Sequence, residues 1–311
     1  MKSVVVQTIR AVLTLSAVVG FVAHLRGETA TTYRFTFPEP QHHWMAVEAT
    51  FTDLSNAPLE LRMSRSSPGR YSLHDFAKNV YDVRATDADG RSLTLTRPDP
   101  YGWTLPTHGP SVTVRYKVFG DRVDGTYLAV DPTHAHLNMP ASVMWARGLD
   151  DRPLQLTFVP PANRHWQVAT QLYPTEDALR FTAPNLQYLM DSPTELGPVT
   201  IRPFTVSGRN FRFAAHQTGT AAELDSFVAD VRKIVAAEGD VFGEYPNYEP
   251  GTYTFIADYL PYASGDGMEH RNSTVITSVS SLATNRAGLL GTVAHEFFHN
   301  WNVERIRPRA L

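Results

Sequence analysis

Residues 31–217 alternate between apolar and polar side chains with a period of two, and this pattern restricts the possible folds more than any other feature. The alternation is clearest at residues 112–118 and 154–158. It is typical of β-strands that bury one face against a core. Turn-forming pairs such as Pro68-Gly69 separate these stretches. The sequence therefore predicts an all-β, sandwich-like N-terminal domain at residues 31–217.

The pattern changes near residue 218. Thr220 and Glu223 have the spacing of a helix capping box, and apolar residues then follow at helical intervals as far as Gly239, which is predicted to end the helix. Two strands and a second helix are predicted after it, at residues 252–257, 274–279 and 287–303. Residues 218–311 are therefore expected to form an α+β domain. With so few elements this domain is expected to be incomplete, and the chain to be a fragment.

Composition excludes several classes of protein. The 311 residues are 42% hydrophobic and 19% charged, which is typical of a globular chain and not of a disordered one. The net charge of −3 gives no reason to expect a nucleic-acid partner. There is no cysteine, so disulfides, thiolate metal sites and cysteine nucleophiles are excluded. Any metal ion must be held by histidine and carboxylate side chains.

The N-terminal segment resembles a targeting sequence. An uncharged run, Ala11–Ala23, follows Lys2 and Arg10. It is shorter than the roughly 20 residues that a membrane-spanning helix needs, and it fits the apolar part of a secretory signal better. Residues 1–30 are therefore predicted to be a signal peptide or short anchor. The protein is expected to be exported and to be periplasmic, extracellular or anchored to the membrane through this segment.

The pattern His295-Glu296-Phe297-Phe298-His299 predicts a metal site. Residues four apart on a helix lie on one face, so both imidazoles can reach one ion. Glu296 follows the first histidine, where its carboxylate can act as general base toward a water that zinc makes more acidic. The alternative is a pair of ordinary histidines on a helix surface.

A second candidate site precedes this helix. The run Gly267-Met268-Glu269-His270 follows a turn of small residues and leads into a predicted strand. Glycines let a substrate backbone approach closely, and the carboxylate of Glu269 has the charge to pair with the free amino group of a peptide. A plain hairpin turn is the alternative. Two other histidine groups, His134-Ala135-His136 and His42-His43, have spacings that can bind metal but are interpreted as polar loop residues.

These motifs resemble the glycyl aminopeptidase family of zinc metallopeptidases (peptidase family M, number sixty-one). The zinc-helix signature of that family is similar to residues 295–308 (HEFFHNWNVERIRP), and its exopeptidase strand is similar to Gly267-Met268-Glu269-His270. The resemblance extends into the β domain at Pro68-Gly69-Arg70-Tyr71, at residues 75–80 (DFAKNV) and at residues 191–197 (DSPTELG). It therefore covers most of residues 31–311.

The resemblance implies a multidomain architecture, with a thermolysin-like (gluzincin) catalytic domain after the β domain. It implies one zinc ion per chain, held by His295, His299 and a glutamate of a following helix, which would lie beyond Leu311. Glu304 is expected on the same helix as His299 and is a poor substitute for that ligand. Glu296 would be the base, and Glu269 would recognise the α-amino group of the substrate.

The predicted reaction is the release of N-terminal residues from peptides, with small residues such as glycine and alanine favoured. Gly267, Met268, Glu269 and His270 are the predicted substrate-binding residues. Two alternatives stay open. A zinc endopeptidase of the same superfamily would not need Glu269, and a non-catalytic peptide-binding protein would not need Glu296. The sequence leaves the oligomeric state undecided.

Overall fold

The computed structural model describes residues 29–307 and residue 309. Residues 1–28, which make up most of the predicted signal or anchor segment, lie outside the described residues. Within the described ranges, no helix is both long enough and apolar enough to cross a membrane.

The first part of the described chain is built of short β-strands. The strands are β1 (Thr31–Glu39), β2 (Trp44–Phe51), β3 (Leu59–Met63), β4 (Val80–Asp87), β5 (Ser92–Leu93), β6 (Thr96–Asp99), β7 (Gly102–Leu105), β8 (Val112–Phe119), β9 (Leu128–Val130), β10 (Ala135–Leu137), β11 (Met144–Ala146), β12 (Leu154–Val159), β13 (Gln167–Thr170), β14 (Tyr173–Pro174), β15 (Arg180–Ala183) and β16 (Thr194–Gly197). The α-helices are α1 (Met139–Ser142) and α2 (Leu186–Met190), and 3₁₀ turns occur at Pro40–His42 and Phe76–Asn79.

These strands form three sheets around one apolar core. An eight-stranded sheet has the order β14-β15-β12-β1-β2-β8-β4-β5, and the two four-stranded sheets have the orders β13-β16-β10-β9 and β11-β3-β7-β6. Strand β8 shows why the sequence folds this way: Val114, Tyr116 and Val118 are buried, whereas Arg115 between them is exposed. One face of the strand therefore packs on the core, and the prediction of an all-β N-terminal domain is confirmed.

The second part of the chain is a five-stranded sheet with two helices. Its elements are β17 (Thr200–Val206), β18 (Arg209–Gln217), α3 (Ala221–Phe242), β19 (Tyr253–Tyr259), β20 (Asp266–Glu269), β21 (Ser273–Ser278) and α4 (Arg286–Phe298). The sheet order is β17-β18-β19-β21-β20. The strands β18, β19 and β21 run parallel, and the two edge strands are antiparallel to their neighbours.

The boundary between the two parts differs from the predicted division at residues 217 and 218. Strands β17 and β18 were assigned to the N-terminal domain, but β18 pairs along its length with β19. Residues 200–217 therefore belong to the α+β sheet. Their two-residue alternation is the same as in the preceding strands, and periodicity cannot tell which sheet a strand joins.

Helix α3 begins at the predicted capping box. The Glu223 backbone N–H donates to Thr220 Oγ1 at 3.2 Å, and the Thr220 N–H donates to Glu223 Oε2 at 2.7 Å. Gly239 does not end the helix as expected. A side chain there would overlap the ring of Tyr245, so this buried glycine serves close packing. The helix ends at Phe242, and Gly243 follows in the left-handed conformation with φ of 74°.

Helix α4 lies against α3 and against strands β20 and β21. Its Leu289, Val293 and Phe297 are buried in the core of the second part. The predicted helix at residues 287–303 is too long, because α4 ends at Phe298 and hydrogen-bonded turns follow.

The buried carboxyl of Glu238, on α3, is expected to make the stability of the protein depend on pH. Its Oε2 is buried without a hydrogen-bond partner among the described residues, and burial raises the pKa of this carboxyl from 4.5 to about 8. Since the unfolded chain ionises at the lower pH, stability is expected to fall as pH rises from about 4.5 to about 8. Glu238→Gln is therefore expected to raise the free energy of unfolding above pH 8 by about 1 kcal/mol.

Urea unfolding followed at several pH values measures this effect. The exposed Asp240 lies on the same helix, so Asp240→Asn is the matched control. Its stability is expected to depend on pH in the same way as that of the wild type. An equally steep loss of stability in Glu238→Gln would contradict the assignment.

Candidate metal and catalytic site

The last turn of α4 brings His295 and His299 together. The Nε2 atoms of the two rings lie 3.2 Å apart. His299 Nδ1 donates a hydrogen bond to the carbonyl oxygen of Asn302 at 2.7 Å. Because a carbonyl oxygen can only accept, the hydrogen of this imidazole is on Nδ1 and its Nε2 presents a lone pair toward His295.

This pair fits a metal ion by geometry and by donor type. Two ligands of one tetrahedral zinc, with bonds of about 2.0–2.1 Å, lie roughly 3.3 Å apart. The same separation also suits a hydrogen bond donated by His295. What distinguishes the site is the presence of further donors, because Glu269 and Glu296 place carboxylate oxygens within 4.8 Å of His299. Two imidazoles and nearby carboxylates are the donor set that zinc prefers in a protein without cysteine.

Glu296 lies between this pair and strand β20. The residue is 5% exposed, and burial raises the pKa of its carboxyl to about 8, with smaller contributions from Glu269 and Asp266 and an opposing one from Arg70. A carboxyl with this pKa can accept and release a proton near neutral pH.

Gly267 makes room for Glu296. A Cβ on this glycine would lie 2.6 Å from Cδ and 2.9 Å from Cγ of Glu296, so a larger residue would push the carboxylate away. Alternation along β20 puts Gly267 and Glu269 on the same face of the strand. Met268 points the other way, into an apolar cluster with Ala169 and Val275.

The four predicted substrate-binding residues therefore differ in position. Gly267 and Glu269 face the helix that bears the histidines, whereas Met268 is fully buried in the core. His270 is 1% exposed, and its Nδ1 lies 2.8 Å from Asp191 Oδ1. This hydrogen-bond contact fixes the end of β20, so the geometry gives His270 a supporting position.

The N-terminal domain holds β20 in place. Arg70 forms an ion pair with Asp266, and the Gly125 backbone N–H donates to the same carboxylate at 2.9 Å. Gly69 has φ of 73°, and a Cβ there would lie 2.8 Å from Glu269 Oε2, so the turn packs directly on the strand. From the sequence, Gly69 was interpreted as part of a turn, and Gly69 and Arg70 were marks of the family resemblance, but neither was given a role at the site.

A cleft opens beside Glu269. Its lining residues come from both parts of the chain and include Tyr71, Asp191, Glu269, Arg271 and Glu304. Glu304 lies in the turns beyond α4 and not on the same helix as His299, contrary to the expectation. Among the described residues, the donors grouped with His299 are Glu269 and Glu296, and Glu304 is not one of them.

The segment after His299 is anchored by buried polar and aromatic contacts. Asn300 donates to the Tyr248 hydroxyl at 2.8 Å and accepts from Arg305 at 2.7 Å. The Trp301 ring stacks on Phe242 with centroids 4.4 Å apart. These contacts fix the backbone that carries the Asn302 carbonyl, and so they orient the His299 ring.

Two family models match parts of this chain. The family described as Peptidase M61 N-terminal domain matches residues 32–198, and the family described as M61 glycyl aminopeptidase matches residues 288–311. The first match covers more than half of the chain and ends just after β16, before the five-stranded sheet begins. No curated protein matches the sequence.

Several solved structures share the fold. An aminopeptidase N family protein from Idiomarina loihiensis superimposes with a TM-score of 0.82 and 26% identity, over 90% of this chain and 49% of that one. This chain thus spans about half the length of that protein.

Two further structures are more distant. Legionella pneumophila aminopeptidase A in complex with aspartic acid gives a TM-score of 0.54 at 15% identity, over 91% of this chain and 35% of that one. Native yeast LTA4 hydrolase gives 0.52 at 12% identity, over 88% and 44%. At these identities the likeness shows the fold alone.

Proposed function

Because the chain belongs to peptidase family M61, we propose that it is part of a zinc-dependent aminopeptidase that releases N-terminal residues from peptides. The observation that carries the proposal is the convergence of the paired His295 and His299 with the carboxylates of Glu296 and Glu269. The two histidines can hold a cation, Glu296 can hold a proton, and Glu269 can bind a substrate amine.

His295 and His299 are the proposed ligands of one zinc ion per chain. The chemistry that zinc supplies when bound is Lewis-acid polarisation of a carbonyl and acidification of water. Glu296 then accepts a proton from the attacking water at its carboxylate and delivers it to the leaving amine, a role that its raised pKa suits.

Glu269 is proposed to bind the α-ammonium group of the peptide. The residue is 6% exposed and lines the cleft, so an ion pair formed there is screened little by solvent. Strand β20 is at the edge of its sheet, so its second edge is available to pair with an extended peptide backbone. Recognition of the amine at a fixed distance from the metal pair selects the first peptide bond. The preference for glycine and alanine is part of the same proposal.

Two further parts of the proposal concern the whole protein. Export rests on the sequence of residues 1–30, as a cleaved signal or a retained anchor. The third zinc ligand is proposed to lie in a part of the protein outside these 311 residues. This is consistent with the match to the Idiomarina protein, which covers 49% of that chain. Activity assays should therefore use both this chain and a version extended by the downstream coding sequence.

Glu296→Gln is expected to lower the turnover of alanine and glycine aminoacyl substrates by at least about 100-fold, because amide cannot accept the proton. Zinc content and the unfolding midpoint are expected to stay close to those of wild type. Full turnover in this variant would contradict the role of Glu296 and favour a non-catalytic binding protein.

Glu269→Gln is expected to lower kcat/KM about 10- to 100-fold, because it removes a charge-assisted contact to the substrate amine. An N-acetylated peptide, which lacks the ammonium, is expected to be a poor substrate for wild type and variant alike. The exposed Glu176 provides the control variant Glu176→Gln, expected to behave as wild type. Efficient cleavage of the blocked peptide would indicate an endopeptidase.

Gly267→Ala and Gly265→Ala form a matched pair two residues apart. The added methyl collides with Glu296 at the first position and meets nothing within 4 Å at the second. Gly267→Ala is therefore expected to lower kcat by roughly 100-fold, as misplacement of a catalytic group does, while Gly265→Ala keeps wild-type rates. Equal activity of the two variants would show that Glu296 is not positioned by this contact.

A further inference from the structure

A second group of histidines and carboxylates lies where the N-terminal domain meets the five-stranded sheet. We call it the interdomain cluster, and it consists of His134, His136, Glu195, His216 and Asp258. His136 and Glu195 face each other on the paired strands β10 and β16, and His134 precedes β10. His216 and Asp258 are partners near the carboxyl ends of the parallel strands β18 and β19.

The cluster is buried. His134, Glu195 and Asp258 are 0% exposed, His136 is 2% exposed, and the His216 side chain is 12% exposed. Ionisable groups in such surroundings must be paired or must bind a cation, because an isolated charge away from water is costly. The hydrogen-bond partners of each nitrogen and oxygen therefore show which atoms of the cluster still lack a partner.

His136 has partners for both of its ring nitrogens. Its Nε2 donates to the carbonyl oxygen of Asp124 at 2.9 Å, and its Nδ1 donates to Glu195 Oε2 at 3.1 Å. Nδ1 also lies 2.8 Å from Asp258 Oδ2. With hydrogens on both nitrogens, this side chain is an imidazolium.

Five other atoms of the cluster have no hydrogen-bond partner among the described residues. They are His134 Nε2, His216 Nδ1, Glu195 Oε1 and both carboxylate oxygens of Asp258, of which Oδ2 faces His136. His216 Nδ1 lies 3.8 Å from Glu195 Oε1 and 3.9 Å from Asp258 Oδ1. The donor atoms of His134, Glu195 and His216 all lie within 4.8 Å of one another, so atoms from both domains point into one small space.

We propose that His134, His216 and Glu195 bind a second metal ion, that the neighbouring Asp258 carboxylate supplies the fourth ligand, and that this ion joins the N-terminal domain to the five-stranded sheet. Two imidazole nitrogens and two carboxylate oxygens are a donor set for zinc, which takes four ligands in a structural site. The separations of 3.8 and 3.9 Å are slightly wider than a tetrahedral site requires. Among the described residues, Asp258 is not one of the donors that lie within 4.8 Å of both His134 and His216, so its side chain must move further than the others to complete the site.

The surroundings of His134 suit a metal ligand. Its Nδ1 lies 3.2 Å from Asp131 Oδ2, which leaves Nε2 to bind an ion, as in carboxylate–histidine–zinc arrangements.

The test is to measure zinc after the first site has been removed. The double variant His295→Ala/His299→Ala is expected to retain about one zinc per chain by elemental analysis after gel filtration. Adding His216→Ala is expected to remove that zinc, whereas adding His42→Ala, at an exposed histidine, is expected to leave it in place. Cobalt substituted into the double variant should show the visible absorption of a four-coordinate site.

A measurement without substitutions in the cluster keeps the test decisive if His216→Ala fails to fold. Prolonged dialysis of the His295→Ala/His299→Ala protein against a chelator is expected to lower its unfolding midpoint by several degrees, and added zinc is expected to restore it. A double variant that folds, contains no zinc and shows no change with chelator or zinc would overturn the proposal. Water or shared protons would then be what satisfies the cluster.

Discussion

The contact between the turn at residues 67–70 and strand β20 determines where the candidate catalytic site lies. Strand β20 is an edge strand with one neighbour in its sheet, so no strand of the sheet pairs with the backbone N–H and C=O groups on its other side. Arg70 and Gly125 bind Asp266 at its start, and Gly69 packs on Glu269 at its end. The N-terminal domain is therefore a structural part of the site.

Close packing then places the acidic groups. Gly267 lets Glu296 approach the strand, and this brings its carboxylate near those of Glu269 and Asp266. Burial and these neighbours raise the pKa of Glu296, because a third negative charge in a dry cleft is unfavourable. The same crowding of acceptors makes the site attractive to a cation held by the two histidines.

Both histidine groups are proposed metal sites, but their members lie at different distances along the sequence. His295 and His299 share one helix, so four residues of spacing were enough to predict that they meet. In the interdomain cluster, His134 and Glu195 come from one domain, and His216 and Asp258 from the other. The spacing of His134 and His136 was visible in the sequence, but it was interpreted as loop polarity because the pair lies in the β domain. Glu195, His216 and Asp258 are distant in the sequence, so spacing could not show that they meet the pair.

The sequence determined what depends on local spacing. The alternation at residues 112–118 gave the β-strand and its buried face, Thr220 and Glu223 gave the start of α3, and the His295–His299 spacing gave the paired imidazoles. Tertiary structure decided what depends on distant neighbours. It assigned β17 and β18 to the five-stranded sheet, kept Gly239 inside a helix against Tyr245, and ended α4 at Phe298. It also buried Met268 and His270, while Glu269 lines the cleft. Periodicity reports which side of an element is apolar, but only packing decides which surface covers that side.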